Sequence, residues 1–229
     1  MDYTKLENRI GVKFKNKDIL EQAFTHRSFL NENRNLTRGH NERLEFLGDA
    51  VLELATTVFL YHKYPGKTEG DLTSLRSSLV NTISISETAV ELGFNEFLFL
   101  SKGEEKDNGR ARQYILANTF ESVVGAIFLD QGYEAACDFI KAFLMPKIDH
   151  IVANGSWVDA KSRLQEISQD KFSMTPVYET VKEFGPDHNK TFTVTVIYGG
   201  GLTEEGSGKS KQEAEQEAAR KVLVKEKWL

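Results

Sequence analysis

Hydrophobic residues recur at helical spacing through the first 150 residues, and the pattern changes after that point. The opening segment carries its apolar residues at Leu6, Ile10, Ile19, Leu20, Phe24 and Leu30. Longer helices are predicted over about 41–64, 68–79, 83–92, 111–130 and 133–148, and Pro65-Gly66 ends the first of them. Residues 1–150 therefore form a predicted all-α domain.

The second part of the chain alternates between helical and strand-like segments. Asn154-Gly155-Ser156 has the composition of a linker, which we place at residues 151–156. Beyond it we predict a helix at 160–169, strands at 176–181, 191–197 and 201–205, and a helix at 211–224. The first two strands are rich in β-branched and aromatic residues. Residues 157–229 are therefore predicted to form a small α+β domain of order α-β-β-β-α.

The net charge argues mildly against a nucleic-acid partner, and the rest of the composition favours a cytoplasmic protein. The net charge is −5, with 18 Lys and Arg against 22 Asp and Glu in residues 1–156, and 11 against 12 in the remainder. Any nucleic-acid contact must therefore use local basic clusters. The single cysteine, Cys137, excludes an internal disulfide. A polar N-terminus and the lack of a long apolar run predict a cytoplasmic protein without a membrane segment.

Three carboxylates share one side of the helix predicted at 41–64. Glu45 and Asp49 are four residues apart, and Glu42 lies one turn before Glu45. An acidic stripe of this kind usually faces water. Here the rest of the helix is largely apolar, which predicts burial on several sides, at Leu44, Phe46, Leu47, Ala50, Val51, Leu52 and Leu54. Clustered charges on a buried helix indicate a divalent cation, and hard cations prefer carboxylate oxygen.

A second pair of oxygen ligands is predicted on the helix at 111–130. Asn118 and Glu121 are three residues apart on one face of an otherwise apolar segment. Taken alone, Glu121 could equally be a buried acid paired with an arginine. Two such helices together favour a divalent-metal site built between them. The five histidines form no His-Asp motif, which argues against an all-helical nucleotide phosphohydrolase with histidine ligands.

Both segments resemble the motifs of the ribonuclease III family, metal-dependent endonucleases of double-stranded RNA. The resemblance rests on Asn41-Glu42-Arg43-Leu44-Glu45-Phe46-Leu47-Gly48-Asp49-Ala50-Val51-Leu52 and on the segment from Ile115 to Ala126. It implies Glu45, Asp49 and Glu121 as direct metal ligands, with Asp49 and Glu121 catalytic and Glu42 more peripheral. Asn118 stands where the family usually has Asp, so it keeps an oxygen ligand but brings no charge. The segment at 68–73 resembles a subunit-interface stretch and implies a supporting role for Glu69.

Residues 157–227 resemble a double-stranded-RNA-binding domain. The matching segments begin at Lys161, Gly185 and Gly206. Lys209 and Lys211 stand at the start of the last helix, where backbone N–H groups favour phosphate. Gly206 and Gly208 allow close backbone approach. The resemblance implies further RNA contacts by Gln165, Gln169 and His188. Gln212 replaces a residue that is often basic, which predicts somewhat weaker binding.

The resemblance implies a homodimeric endoribonuclease that cuts both strands of double-stranded RNA. We expect Mg²⁺ as cofactor, with Mn²⁺ able to substitute, and no small-molecule cofactor. Metal-activated water would leave 5′-phosphate and 3′-hydroxyl ends on structured precursors such as rRNA and mRNA. Asn118 alone favours the alternative, a non-cleaving RNA-binding regulator with a weakened metal site.

Overall fold

The computed structural model describes residues 2–106, 108–155, 157, 159–186 and 190–228. Contacts between residues divide the chain into two compact units, Met1–Trp157 and Val158–Leu229. The first unit is all-α and the second is α+β, which confirms the predicted fold class.

Helices pack around one hydrophobic core in the first unit. Its described helices are α1 (Thr4–Ile10), α2 (Lys17–Ala23), α3 (Arg27–Glu32), α4 (Glu42–Lys63), α5 (Glu69–Leu79), α6 (Thr82–Glu91), α7 (Arg110–Gln131), α8 (Tyr133–Phe143) and α9 (Lys147–Ala153). Short 3₁₀ turns at Phe94–Phe97 and Glu104–Lys106 lie between α6 and α7. The helices predicted at 41–64, 68–79, 83–92 and 111–130 agree with α4 to α7 within one residue at each end.

The single helix predicted at 133–148 is wrong. The structure has two helices there, because α8 ends at Phe143 and Pro146 precedes α9. Proline lacks a backbone N–H and disfavours helical geometry in the residue before it, so a helix cannot run through this position without a break. Residues 151–153, which we assigned to the linker, form the end of α9.

The two long helices α4 and α7 pack against each other at unusually short range. A Cβ atom added to Gly48 would lie 1.7 Å from the backbone oxygen of Glu121. A Cβ added to Gly125 would lie 2.3 Å from the backbone oxygen of Leu44. Glycine at both positions therefore lets the backbones of the two helices touch. This crossing lies beside the residues that were predicted to bind metal.

One face of α4 is exposed, contrary to the prediction that the helix is buried on several sides. Phe46 is 81% exposed, Leu54 54% and Tyr61 67%, and Val58 on the same face is also exposed. These residues are spaced three to eight positions apart and form an apolar stripe along the helix. The apolar pattern identified a face that favours burial, but the core of this chain covers only the opposite face.

The second unit is a three-stranded antiparallel sheet with two helices. Its elements are α10 (Ala160–Phe172), β1 (Val177–Phe184), β2 (Thr191–Tyr198), β3 (Leu202–Gly208) and α11 (Lys211–Lys225), and the strand order is β1-β2-β3. Leu164 of α10, Val196 of β2 and Val222 of α11 belong to its core. The order of elements confirms the prediction, although every strand extends beyond its predicted end.

Gly206 and Gly208 serve packing within this unit. A Cβ on Gly206 would lie 2.2 Å from the backbone nitrogen of Ala218, and one on Gly208 would lie 2.5 Å from the Cβ of Glu213. The glycines therefore let α11 lie directly on β3. The sequence predicts close backbone approach at these two positions, and the structure shows that the close neighbour is α11 of the same unit.

Two remaining expectations concern single features. Cys137 is half-buried against the core of the first unit. Among the helices of the described residues, we find none with the length and apolar character needed to cross a bilayer.

Candidate active site and RNA-binding surface

The predicted metal ligands lie on the two helices that cross at Gly48. Glu42, Glu45 and Asp49 project from the first two turns of α4, with Glu45 half-buried and the other two exposed. Glu121 is half-buried on α7, and its backbone oxygen touches α4 at Gly48. The close crossing therefore holds Glu45, Asp49 and Glu121 within electrostatic range of one another.

These three carboxyl groups are destabilised in their charged forms. Burial, then the charges of Asp49 and Glu45, raises the pKa of Glu121 from 4.5 to about 8. Burial, followed by the charge of Glu42, also raises the pKa of Glu45. The pKa of Asp49 is raised by burial and by Glu53. Without a cation, the folded protein therefore favours a proton on Glu121 at neutral pH.

Asn118 contacts this group through its amide. A side-chain hydrogen bond from Asn118 lowers the pKa of Glu45 and offsets part of the repulsion. The amide N–H donates to the Glu45 carboxylate, and the amide oxygen can act as an acceptor or a ligand. Asn118 therefore lies beside Glu45, and it stabilises the carboxylate that an Asp would repel.

The donor set fits a divalent hard cation that keeps part of its water shell. The donors are carboxylate and amide oxygens whose mutual repulsion a cation would relieve. Within the described residues, no three His, Cys, Asp or Glu side chains converge closely enough to enclose an ion by themselves. Mg²⁺ is commonly held by one or two carboxylates, with water and substrate phosphate completing its shell, so an incomplete protein cage suits it.

Three residues beside this acidic face, Arg27, His40 and Glu53, were not predicted from the sequence. Arg27 pairs with Glu42, with 3.4 Å between Nη1 and Oε1, and His40 Nδ1 lies 3.7 Å from the other oxygen of Glu42. Glu53 extends the acidic stripe one turn beyond Asp49. Helical spacing from Asp49 could have identified Glu53. Arg27 belongs to another element, and no local pattern links it to α4.

Buried polar contacts hold the start of α4 against α7. The backbone N–H of Asn41 donates to the carbonyl of Thr25 at 2.9 Å. The buried hydroxyl of Ser122 lies 2.7 Å from the carbonyl oxygen of Asn118 and 3.3 Å from that of Asn41. Ser122 directly follows Glu121, so this contact links the two acidic helices next to the predicted ligands.

Glu69 lies away from the other acids of its own chain. It is the first residue of α5, accepts a hydrogen bond from the Thr73 hydroxyl, and shares a pocket of about 460 Å³ with Thr57 and Tyr61. Thr57 is twelve residues beyond Glu45 on α4, which corresponds to roughly 18 Å along the helix axis. Glu69 therefore does not join the Glu45 group within one chain.

The predicted RNA-binding residues of α10 face solvent. Gln165 and Gln169 are exposed, one turn apart, and line a shallow groove of about 620 Å³ along the helix. His188, which was also predicted to contact RNA, lies outside the described residues.

Lys209 and Lys211 flank Ser210, the N-cap residue of the last helix, α11. Ser210 caps α11 by accepting from the N–H of Glu213, and the Glu213 carboxylate accepts from the N–H of Lys209 at 2.8 Å. Two backbone N–H groups at this end of the helix, those of Lys209 and Glu213, are therefore engaged by side chains of the same chain and do not face a phosphate. The lysine side chains, both exposed, remain the positive groups at this end of the helix.

Comparison with known proteins agrees with both units. Residues 16–148 match the family model described as Ribonuclease-III-like, and residues 160–225 match the Double-stranded RNA binding motif. The chain is 48% identical over 223 residues to Ribonuclease 3 of Bacillus licheniformis, covering 97% of this chain and 89% of that protein. It is 46% identical to Ribonuclease 3 of Pelotomaculum thermopropionicum, covering 97% and 92%.

A solved structure shows the same fold for the first unit. The nuclease domain of ribonuclease III from Campylobacter jejuni, described for flexibility in a region involved in dimer formation, is 38% identical. The match has a TM-score of 0.58 and covers 63% of this chain and 97% of that one.

An all-α unit with carboxylates on two crossing helices, joined to an α-β-β-β-α unit, defines a nuclease equipped with a double-stranded-RNA-binding domain. Its activity is that of an endoribonuclease acting on double-stranded RNA. The chain belongs to the ribonuclease III family.

Proposed function

We propose that phosphodiester hydrolysis takes place at the face formed by Glu45, Asp49 and Glu121, with Mg²⁺ as cofactor and Mn²⁺ able to substitute. The observation that carries the proposal is the raised pKa of all three carboxyls, with Glu121 at about 8. Carboxylates that repel one another at the crossing of two helices are costly unless a cation or protons compensate them. A metal-binding role accounts for that cost.

Each residue has a distinct part in this proposal. Glu45, Asp49, Asn118 and Glu121 would hold the metal, and Asp49 and Glu121 act on the reacting groups. When bound, a divalent cation supplies a water of lowered pKa as nucleophile and stabilises the leaving 3′ oxygen. Glu121 gives up its proton when the positive charge offsets Asp49 and Glu45. Glu42, which is tied to Arg27, has a supporting role.

We further propose that the exposed stripe on α4 is covered by a second copy of the chain. Phe46, Leu54 and Tyr61 are each more than half exposed, and large apolar patches on a soluble surface usually mark an interface. The dimer-forming nuclease domain from Campylobacter jejuni has the same fold, which supports this choice of partner. Glu69 lies in the pocket beside Tyr61, so its supporting role is at this interface.

We propose that the second unit recognises duplex RNA mainly by the A-form shape of the duplex. Gln165, Gln169 and His188 would reach 2′-hydroxyls in the minor groove, while Lys209 and Lys211 contact phosphates. Such a domain spans about 16 base pairs. We propose two domains as predicted, with the end of the first moved from residue 150 to the end of α9 at Ala153 and the second over residues 157–229. The proposed products carry 5′-phosphate and 3′-hydroxyl ends and derive from rRNA and mRNA precursors in the cytoplasm.

Incubation with a long RNA duplex, with Mg²⁺ or with chelator, tests the catalytic proposal. We expect shorter duplexes only with metal, and no cleavage by Glu45→Ala, Asp49→Ala or Glu121→Ala, all of which should still bind the duplex. Glu134→Ala, an exposed change on α8, is the matched control and should cleave normally. Intact RNA with the unaltered protein at every metal concentration would favour the non-cleaving regulator. Full activity of Glu121→Ala would refute the site.

A further inference from the structure

Three lysines converge at one end of the sheet in the second unit. Lys190 directly precedes β2, and Lys209 and Lys211 flank Ser210, the cap of α11. Lys209 Nζ lies 3.5 Å from the Thr191 hydroxyl, and Lys211 Nζ lies over the Phe192 ring, 5.7 Å from its centroid. The fold therefore gathers positive charge from separate segments at the place where RNA phosphates are proposed to bind.

A single carboxylate from β1 lies among these lysines. Glu183 pairs with Phe192 across the sheet, and Phe192 pairs in turn with Gly208. This cross-strand row brings Glu183 to within 3.1 Å of Lys211 Nζ and 3.6 Å of Lys190 Nζ. The pKa of Glu183 is lowered, chiefly by its hydrogen bond to Lys211, so the carboxylate stays charged at neutral pH.

The carboxylate and an RNA phosphate would use the same donors. An ammonium group that contacts Glu183 must exchange that partner, at least in part, to contact a phosphate oxygen. The negative charge of Glu183 also repels any phosphate brought to Lys190 or Lys211. The second unit holds 11 Lys and Arg against 12 Asp and Glu, so it has no net positive charge to offset this repulsion.

We propose that Glu183 sets the affinity of the second unit for duplex RNA by competing with phosphate for Lys211 and Lys190. The inference rests on the proposed phosphate-binding role of Lys209 and Lys211. In the absence of RNA, Glu183 holds Lys211 in place over Phe192. When the duplex binds, a phosphate takes the position opposite the lysine, and Glu183 loses its partner.

Removing the charge should therefore strengthen binding. Glu183→Gln keeps the size of the side chain and is expected to lower the Kd for a duplex of about 20 base pairs by about three- to tenfold, because exposed ion pairs are individually weak. The dependence of log K on log salt should become steeper by about one, since one more lysine contacts phosphate fully. In a Lys211→Gln background, Glu183→Gln should give a smaller gain.

The experiment measures fluorescence anisotropy of labelled duplex with the full chain in chelator, where gels confirm that the RNA stays intact. Glu179→Gln, an exposed change four residues earlier on β1, is the control for net charge and should leave Kd within about twofold. Thermal melts verify that each variant is folded.

The outcomes separate this inference from the proposal on which it rests. Tighter binding by Glu183→Gln that is reduced in the Lys211→Gln background supports the competition. Unchanged binding overturns it, and weaker binding overturns it and makes Glu183 a positioning residue for the lysines. An equal gain for Glu179→Gln also overturns it, in favour of a general charge effect. If Lys209→Gln and Lys211→Gln leave the affinity of the unaltered protein unchanged, the phosphate-binding assignment itself fails.

Discussion

Glu121→Gln should stabilise the metal-free protein at alkaline pH while abolishing cleavage. The carboxyl of Glu121 has its pKa raised from 4.5 to about 8 by burial and by Asp49 and Glu45. An acid whose pKa is raised on folding contributes its full share of stability below about pH 4.5, and this share is lost as pH rises towards 8. Glutamine keeps the shape of the side chain and removes the titration.

The magnitude follows from the two pKa values. The difference between 4.5 and about 8 corresponds to a ceiling of about 5 kcal/mol. Glu45 and Asp49 share the repulsion, and the site is partly open to solvent, so we expect about 2–4 kcal/mol at pH 8. For a unit of this size, 1 kcal/mol shifts Tm by roughly 2–4 °C, which gives an expected gain of roughly 5–15 °C.

The assay compares thermal melts of Glu121→Gln and the unaltered protein in chelator between pH 5 and pH 8. The difference in Tm should be small at pH 5 and grow steadily with pH. Saturating Mg²⁺ should stabilise the unaltered protein more than the variant and shrink the difference at pH 8. Glu134→Gln on α8 should follow the unaltered protein throughout. A constant difference across this pH range would refute the buried, mutually repelling arrangement.

Three further predictions concern the crossing of α4 and α7, the side chain of Asn118 and the separation of the chain into two units. Gly48→Ala should destabilise the first unit by several kcal/mol, because its Cβ would overlap the backbone of Glu121. Gly66→Ala is the control and should leave stability unchanged, because Gly66 has open space around it. Equal melting temperatures of the two variants would contradict the close crossing of α4 and α7. Asn118→Asp should lower the Mg²⁺ concentration for half-maximal cleavage by about tenfold, or about 1.4 kcal/mol. It should also lower the Tm in chelator, since it adds a negative charge beside Glu45. An unchanged Mg²⁺ concentration for half-maximal cleavage would show that residue 118 is not part of the site. A chain ending at Gly155 should still dimerise but cleave only at reduced salt, as measured by sedimentation and gel assays; a monomeric product would contradict the proposed dimer.

Helix and strand positions could be predicted where the local pattern decides them. The segment beginning at Thr68 starts with a capping box in which Thr68 and Asp71 bond each other's backbone, and its start was placed within one residue. Apolar periodicity predicts one helix over 133–148 because the period continues across Pro146. The proline nevertheless separates α8 from α9, since its backbone cannot continue the helix.

The candidate ligands were predictable because they stand at helical spacing within single helices, Glu45 and Asp49 on α4 and Asn118 and Glu121 on α7. Their surroundings depend on tertiary contacts that no local pattern encodes. Arg27 reaches Glu42 from α3, and Glu183 reaches Lys211 from across the sheet. The exposure of Phe46 shows the same limit, since apolar composition reveals that a face favours burial but not whether the same chain provides the cover.

Contact between the α4 and α7 backbones at Gly48 and Gly125 separates the geometry of the site from the identity of its ligands. The spacing of the two acidic helices is fixed by main-chain atoms, which every residue type shares, so it does not depend on which ligands the helices carry. An amide side chain such as that of Asn118 can therefore stand among the carboxylates without a change in the spacing of the two backbones. Gly48 and Gly125 tolerate no side chain because a Cβ would overlap the facing backbone, whereas the ligand positions can hold different oxygen-bearing side chains.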